Sequence, residues 1–288
     1  MKFLIGVILG VFLVFVAISG IKNNDNTEKT GSLYIGLTDY TADINNVNDI
    51  NMSVNKVEVY SNTKGWITLS SERKNYNLLE LKASGKVEFY TNKNIEAGSY
   101  ERVRVSLGDT IVKTKTKGDI KAVLPSNQIV MNTRININSN SDSYVKLDFL
   151  ADKSLHMTAD AKYVFAPVVK METRSNTKVE VKSNKEIIVL GGKIDSNIEV
   201  GVDLDGSSKS NFNLKTDNTL KIESSIDGAL KFMLGGQTMS SNNLDIRDSE
   251  SSNNSINVNT SSENSSSAES SSSIKIEGSL DNKIKLGN

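Results

Sequence analysis

The chain contains no cysteine, and this absence excludes several kinds of chemistry and of stabilisation. Thiolate catalysis, zinc–thiolate sites and a lipid-modified N-terminal cysteine are all impossible. No disulfide can form, so stability must come from burial and sheet pairing instead. Proline occurs only as Pro125 and Pro167, so asparagine, aspartate, serine and glycine must form the turns.

A single histidine and an even charge balance narrow the function classes further. The 34 basic and 34 acidic residues are scattered along the chain, which argues against a nucleic-acid partner. A Ser–His–Asp triad would have to use His156, but its flanking sequence, DKSLHMTAD, shows no strand–turn–helix nucleophile pattern. We therefore predict that the chain is not an enzyme, and we expect no cofactor apart from the calcium discussed below.

Residues 1–21 have the pattern of an export signal or of a single membrane anchor. Lys2 precedes an apolar run from Phe3 to Gly20. About 18 apolar residues form a helix of about 27 Å, which is just enough to cross a bilayer core. Ala17 and Ser19 are small residues at the positions that a signal peptidase reads, so cleavage and retention both stay open. Under either interpretation the remainder is extracytoplasmic, either secreted or held at the cell surface, where an uncleaved helix would make the membrane a partner.

After a polar linker at residues 22–30, the chain alternates apolar and polar residues with the period of strands up to residue 175. Leu33, Ile35 and Leu37 share one face of a predicted strand. Val103, Val105 and Leu107 share a face of another strand, with Arg102 and Arg104 pointing away. The alternation changes phase between Val54 and Val57, which predicts a β-bulge near Asn55 and Lys56. Because one sheet could not cover its own apolar face, we predict an all-β fold, an antiparallel β-sandwich of about eight to ten strands.

The remaining residues divide into three segments of different composition. Residues 176–238 continue the alternation between short turns, which predicts a β-meander that is either an extension of the sandwich or a second small domain. Residues 239–273 are rich in serine and asparagine and have too little apolar surface to offset their ordering entropy, which predicts a disordered linker. Residues 274–288 resemble a lone β-hairpin around the turn GSLDN.

The order of motifs over residues 31–174 resembles domain-of-unknown-function family 4382, which is found in exported archaeal and bacterial proteins. The matching segments are GSLYIGLTDYTAD at 31–43, VNKVEVY at 54–60, Trp66, NLLEL at 77–81, IEAGSYERVRV at 95–105, VLPSN at 123–127, VKLDFLADKSL at 145–155 and YVFAPVVKME at 163–172. The resemblance implies a sandwich of transthyretin-like or carbohydrate-binding-like type, often tethered to the cell surface, with no established activity.

Two features depart from the pattern of this family. The Thr-Asp-Ala-Pro loop of the family reads Thr38-Asp39-Tyr40-Thr41 here, which leaves out the proline that would stiffen it. The lipid-anchoring cysteine of many relatives is missing, so a tether would have to be the N-terminal helix. The resemblance supplies no catalytic residues.

The loop TDYTADINNVND gathers oxygen ligands that suit a hard cation. Asp39, Asp43 and Asp49 lie within eleven residues of each other together with several asparagines. Calcium accepts six to eight such oxygens in flexible geometry, so these three aspartates form a candidate calcium site. The spacing is not that of an EF-hand, and Asx residues also cap turns without metal, so both interpretations stay open.

The Ser-rich segment carries three Asn-x-Ser/Thr sequences, at Asn253, Asn259 and Asn264. They are candidate N-glycosylation sites in a source organism that glycosylates exported proteins. A fourth sequence, at Asn51, lies near a predicted strand and is the poorest candidate.

Four aromatic residues are candidates for a platform on which a sugar ring could stack: Tyr60, Trp66, Tyr90 and Tyr100. The competing interpretation is packing in the core, where the single tryptophan of a sandwich usually sits, and the sequence favours it.

The sequence therefore predicts a non-catalytic, extracytoplasmic binding or structural module, whose partner would be a carbohydrate or an envelope protein. An extracellular hydrolase that uses a carboxylate pair is one alternative. An architectural envelope subunit that assembles by strand addition through its C-terminal hairpin is the other.

Overall fold

Strands account for most of the computed structural model, which describes residues 29–39, 44–216, 219–224 and 230–240. In chain order the elements are β1 (Thr30–Thr38), β2 (Val47–Ser61), β3 (Gly65–Ser70), β4 (Lys74–Asn77), α1 (Leu78–Ser84), β5 (Glu88–Glu96), β6 (Gly98–Thr114), β7 (Gly118–Ala122), β8 (Gln128–Ile137), β9 (Asp142–Phe149), α2 (Ala151–Ser154), β10 (Leu155–Met157), β11 (Tyr163–Phe165), β12 (Val168–Val181), β13 (Ile187–Val202), β14 (Ser208–Ser210), β15 (Lys221–Ser224), β16 (Leu230–Leu234) and β17 (Gln237–Ser240). The all-β prediction is confirmed.

Two six-stranded sheets share one hydrophobic core. The first sheet has the order β14-β13-β12-β9-β1-β5. In the second sheet, the long strands β2 and β6 pair with each other at the centre. Both β3 and β4 pair with the outer edge of β2, one after the other along its length. In the same way, β7 and β8 both pair with the outer edge of β6. Pairing is antiparallel except between β1 and β9, which run parallel and make the first sheet mixed. Two short strands, β10 and β11, form a separate pair.

The predicted alternation determines which side chains form this core. Leu33, Ile35 and Leu37 are fully buried, and so are Val103 and Val105. Arg102 and Arg104, which alternate with these valines, lie on the opposite, solvent-facing side of the second sheet. A sheet that is apolar on one side and polar on the other is what the period-two pattern requires.

The predicted β-bulge in β2 is confirmed. The register of β2 against β6 shifts between Val54 and Lys56, so one extra residue is absorbed there. As a result, Val54 and Val57 are both fully buried although three positions separate them.

The helix α1 was not predicted, because its seven residues are too short to display a helical period. Its buried side chains are Leu78 and Leu81, one turn apart. It ends at Gly85, whose φ of 60° is left-handed and whose N–H donates to the carbonyl oxygens of Leu81 and Lys82.

The C-terminal part of the described chain contributes to two different sheets. Strand β12 crosses the boundary drawn from the sequence between residues 175 and 176, and β13 pairs with it along its whole length. Strands β15, β16 and β17 form an antiparallel three-stranded sheet. Side chains of this sheet contribute to a second apolar cluster, whose buried members include Val164, Leu204, Leu220 and Phe232.

Several sequence-based predictions concern residues outside the described ranges. They are the leader at 1–21, most of the polar linker, the serine-rich segment, the tail at 274–288, and the glycosylation candidates Asn253, Asn259 and Asn264. Within the described ranges, no helix has the length and apolar character needed to cross a membrane.

Candidate ligand-binding face

The solvent side of the second sheet carries four side chains that we call the aromatic–arginine face: Tyr60, Trp66, Arg102 and Arg104. Strand pairing brings them together. Tyr60 on β2 lies directly opposite Trp66 on β3 and, on its other side, opposite Arg102 on β6. The neighbouring residues Val57, Val59, Val103 and Val105 face the core and are fully buried, so alternation sends these polar and aromatic positions outward.

The two rings and the two guanidinium groups pack against one another on this side of the sheet. The ring centroids of Tyr60 and Trp66 are 5.3 Å apart and the rings meet edge to face at 63°. The guanidinium carbon of Arg102 lies 4.5 Å from the centre of the Tyr60 ring, and that of Arg104 lies 4.1 Å from the centre of the Trp66 ring. These distances are within the range of cation–π attraction.

A buried carboxylate holds Arg104 in this position. Glu58 is 4% exposed, and its Oε2 accepts a hydrogen bond of 2.7 Å from Nε of Arg104. Its Oε1 lies 3.2 Å from Nζ of Lys56. Burial alone would raise the pKa of Glu58, but the hydrogen bonds from Arg104 and Lys56 outweigh it and lower the pKa. The carboxylate is therefore ionised at neutral pH and fixes the guanidinium over the ring.

This arrangement can bind a ligand that combines a ring with a negative charge. The face itself has two cations, Arg102 and Arg104, and Glu58, which lies against Arg104, is also paired with Lys56. A guanidinium presents planar donors that match a carboxylate or sulfate group. Tyr60 and Trp66 are half-buried, and aromatic side chains of this kind can pack against the C–H surface of a sugar.

The core-packing interpretation of the four aromatic residues is right for Tyr90 and Tyr100 and wrong for Tyr60 and Trp66. Tyr90 and Tyr100 are buried, and their hydroxyl groups donate to backbone carbonyl oxygens at 3.0 and 2.9 Å. Trp66 lies on the opposite side of the second sheet from the core. The alternating pattern of β3 is only six residues long, which is why the sequence did not distinguish its two sides.

The structure describes two of the three aspartates of the predicted calcium site. Asp39 is fully buried at the end of β1. Asp49 accepts a hydrogen bond of 2.8 Å from Asn77 and lies 3.6 Å from Nζ of Lys113. Asp43 lies outside the described residues. Within the described ranges, no three acidic or histidine residues are grouped so that they could hold a metal ion, and the calcium site, which needs Asp43, stays a prediction.

His156 is buried beside the second apolar cluster. It is 9% exposed, and its Nδ1 lies 3.2 Å from the hydroxyl oxygen of Thr216. Burial lowers its pKa from 6.5 to about 4, so the ring is neutral near pH 7.

The depressed pKa of His156 predicts a loss of stability in mild acid. In the unfolded chain the imidazole of His156 becomes protonated below pH 6.5, whereas in the folded chain it stays neutral down to about pH 4. Stability from this group is therefore complete above pH 6.5 and falls by about 3 kcal/mol as the pH decreases to about 4. A His156→Phe variant should lack this component. We expect urea unfolding to show that the wild-type advantage over the variant shrinks by that amount in acid, and a pH-independent difference would contradict the prediction.

Comparison with known proteins finds a family match for part of the sandwich. No curated protein and no solved structure matches the chain. Residues 30–167, from the start of β1 to the residue before β12, match a protein family, in agreement with the resemblance carried by the sequence motifs. The aromatic–arginine face lies inside this range. Over these residues the chain matches the family described as Domain of unknown function (DUF4382).

Proposed function

We propose that the protein is a non-catalytic binding module that works outside the cytoplasm, at the cell surface or secreted, and that it binds acidic carbohydrate on its aromatic–arginine face. The observation that carries the proposal is the stack of Tyr60 and Trp66 with Arg102 and Arg104 on the solvent side of the sheet. The extracytoplasmic location is supported by the basic start and apolar run of residues 1–21.

A binding role accounts for this face better than the hydrolase alternative does. A glycosidase needs one carboxyl group whose pKa is raised so that it can act as an acid. The carboxyl group that contacts this face, Glu58, has a lowered pKa, so it does not suit that role. The architectural alternative rests on residues 274–288, which lie outside the described ranges.

Titration of the full-length protein with polygalacturonate tests the proposal, with the uncharged methyl ester of the same polymer as the control ligand. We expect the acidic polymer to bind and the ester to bind weakly or not at all. Trp66→Ala and Arg102→Gln should each weaken binding by about tenfold, because each removes one central contact of the site.

A matched control separates this face from general charge. Lys178 is exposed on β12 of the other sheet, so Lys178→Gln removes one positive charge without touching the site. Affinity should be unchanged in this variant, and circular dichroism should show that all variants are folded. Equal binding of the acidic polymer and its ester, or an equal loss in Lys178→Gln, would refute the proposed face.

A further inference from the structure

A polar pocket lies apart from the aromatic–arginine face, between α1 and the turn that joins β12 to β13. Its volume is about 240 Å³. Its polar side chains come from four places in the chain: Tyr76 and Asn77 from β4, Glu80 from α1, Lys86 and Glu88 around the start of β5, and Glu186 at the end of the β12–β13 connection.

The lining of this pocket is negatively charged. Three carboxylates, those of Glu80, Glu88 and Glu186, face one ammonium group, that of Lys86. Glu186 already lies 3.3 Å from Nζ of Lys182. In the described part of the chain, neither Glu80 nor Glu88 forms an ion pair.

Backbone pairing places two of these glutamates directly opposite each other. Glu88 and Glu186 are directly opposite in an antiparallel bridge. The bridge is supported by hydrogen bonds of 2.7 Å from Phe89 N–H to the Lys185 carbonyl and of 2.9 Å from Ile187 N–H to the Val87 carbonyl. Like charges placed directly opposite one another are destabilising, so a cation bound between them would be stabilising.

Two buried oxygen atoms at the pocket lack a hydrogen-bond partner among the described residues: the hydroxyl of Tyr76 and Oδ1 of Asn77. Tyr76 is 3% exposed, which makes an unpaired hydroxyl costly. Its pKa is raised, first by burial and then by the charge of Glu88. Asn77 donates its amide nitrogen to Asp49 at 2.8 Å, so its oxygen is the atom left over.

We propose that this pocket binds a primary ammonium group, with the carboxylate of Glu88, the hydroxyl of Tyr76 and Oδ1 of Asn77 as its acceptors. An ammonium group has one positive charge and three donors, which is the complement of these oxygens. A metal ion fits less well, because within the described ranges no three carboxylates are grouped so that they could hold one. The ammonium can come from an amino sugar or from a lysine side chain, since both present the same group.

Calorimetric titration of the full-length protein with two amines distinguishes these sources. Glucosamine represents the sugar, with N-acetylglucosamine as its uncharged counterpart, and Nα-acetyl-lysine amide represents the side chain. We expect one of the two amines to bind and the uncharged sugar not to bind. Loss of one charge-assisted hydrogen bond in Glu88→Gln or Tyr76→Phe should weaken that binding by about tenfold or more.

Tyr76→Phe is the more informative variant, because it separates binding from folding. The hydroxyl has no partner within the described protein, so its removal should leave the melting temperature unchanged or higher while binding weakens. Glu223→Gln, which alters an exposed carboxylate on β15, serves as the control and should bind as the wild type does. Failure of both amines to bind, equal binding of N-acetylglucosamine, or unchanged binding in either pocket variant would overturn the proposal.

Discussion

Replacement of Glu58 by glutamine is expected to lower the free energy of unfolding by about 2–4 kcal/mol at neutral pH. Glu58 is 4% exposed and binds two cations, Arg104 and Lys56, through its two oxygens. Glutamine has nearly the same shape, but it cannot accept from both cations, and it leaves a guanidinium with 20% side-chain exposure without its counter-charge. Urea unfolding followed by circular dichroism measures the difference.

The loss of unfolding free energy in Glu58→Gln should depend on pH, because it comes from the ionised carboxylate of Glu58. Its pKa is lowered in the folded state from an ordinary value of 4.5. The stability that it contributes is therefore present above pH 4.5 and is lost as the pH falls below that value, through the lower pKa of the folded state. The difference between wild type and Glu58→Gln should accordingly shrink in acid.

Glu101→Gln provides the comparison for Glu58→Gln. Glu101 lies on β6, but its side chain is exposed, so its substitution should change stability by less than about 0.5 kcal/mol. If Glu58→Gln were no less stable than Glu101→Gln, the ion pair under the aromatic–arginine face would not contribute to the fold as described.

The outward direction of this face could be predicted from the sequence, but its composition could not. Alternation along β6 places Arg102 and Arg104 away from the core, as the pattern of valines predicted. Which rings they would meet depends on the register of β2 against both β3 and β6, and that register includes a bulge. Register is a property of pairs of strands, so no single stretch of sequence contains it.

The polar pocket was beyond sequence analysis for a related reason. Tyr76 and Glu88 are separated by roughly a hundred residues from Glu186, and the bridge between Glu88 and Glu186 joins the two regions. The parallel pairing of β1 with β9 was likewise invisible, because period-two alternation is the same in parallel and antiparallel neighbours. Local pattern therefore predicted the strands, their buried sides and the bulge, whereas contacts between distant segments determined both proposed sites.

Gly31→Ala is expected to destabilise the sandwich by about 3 kcal/mol or more. A Cβ atom at Gly31 would lie 2.3 Å from the carbonyl oxygen of Asn138 and 2.9 Å from that of Ser141. Both obstacles are backbone atoms of the β8–β9 connection, so a side-chain rotation cannot relieve the clash. The connection would have to move, and it makes hydrogen bonds of 3.0 Å from Ser32 N–H to Ser141 and of 2.8 Å from Asn140 N–H to Thr30.

Gly65→Ala separates this steric effect from the general cost of replacing glycine. Gly65 has a φ of 69°, but nothing lies within 4 Å of the position that its Cβ would take. Its substitution should cost only about 1 kcal/mol, which is the strain of a left-handed alanine. Urea unfolding of both variants should therefore rank Gly31→Ala as clearly the less stable. An equal loss in the two would show that the β8–β9 connection gives way easily, and that the close approach of β1 to this connection does not constrain the first sheet.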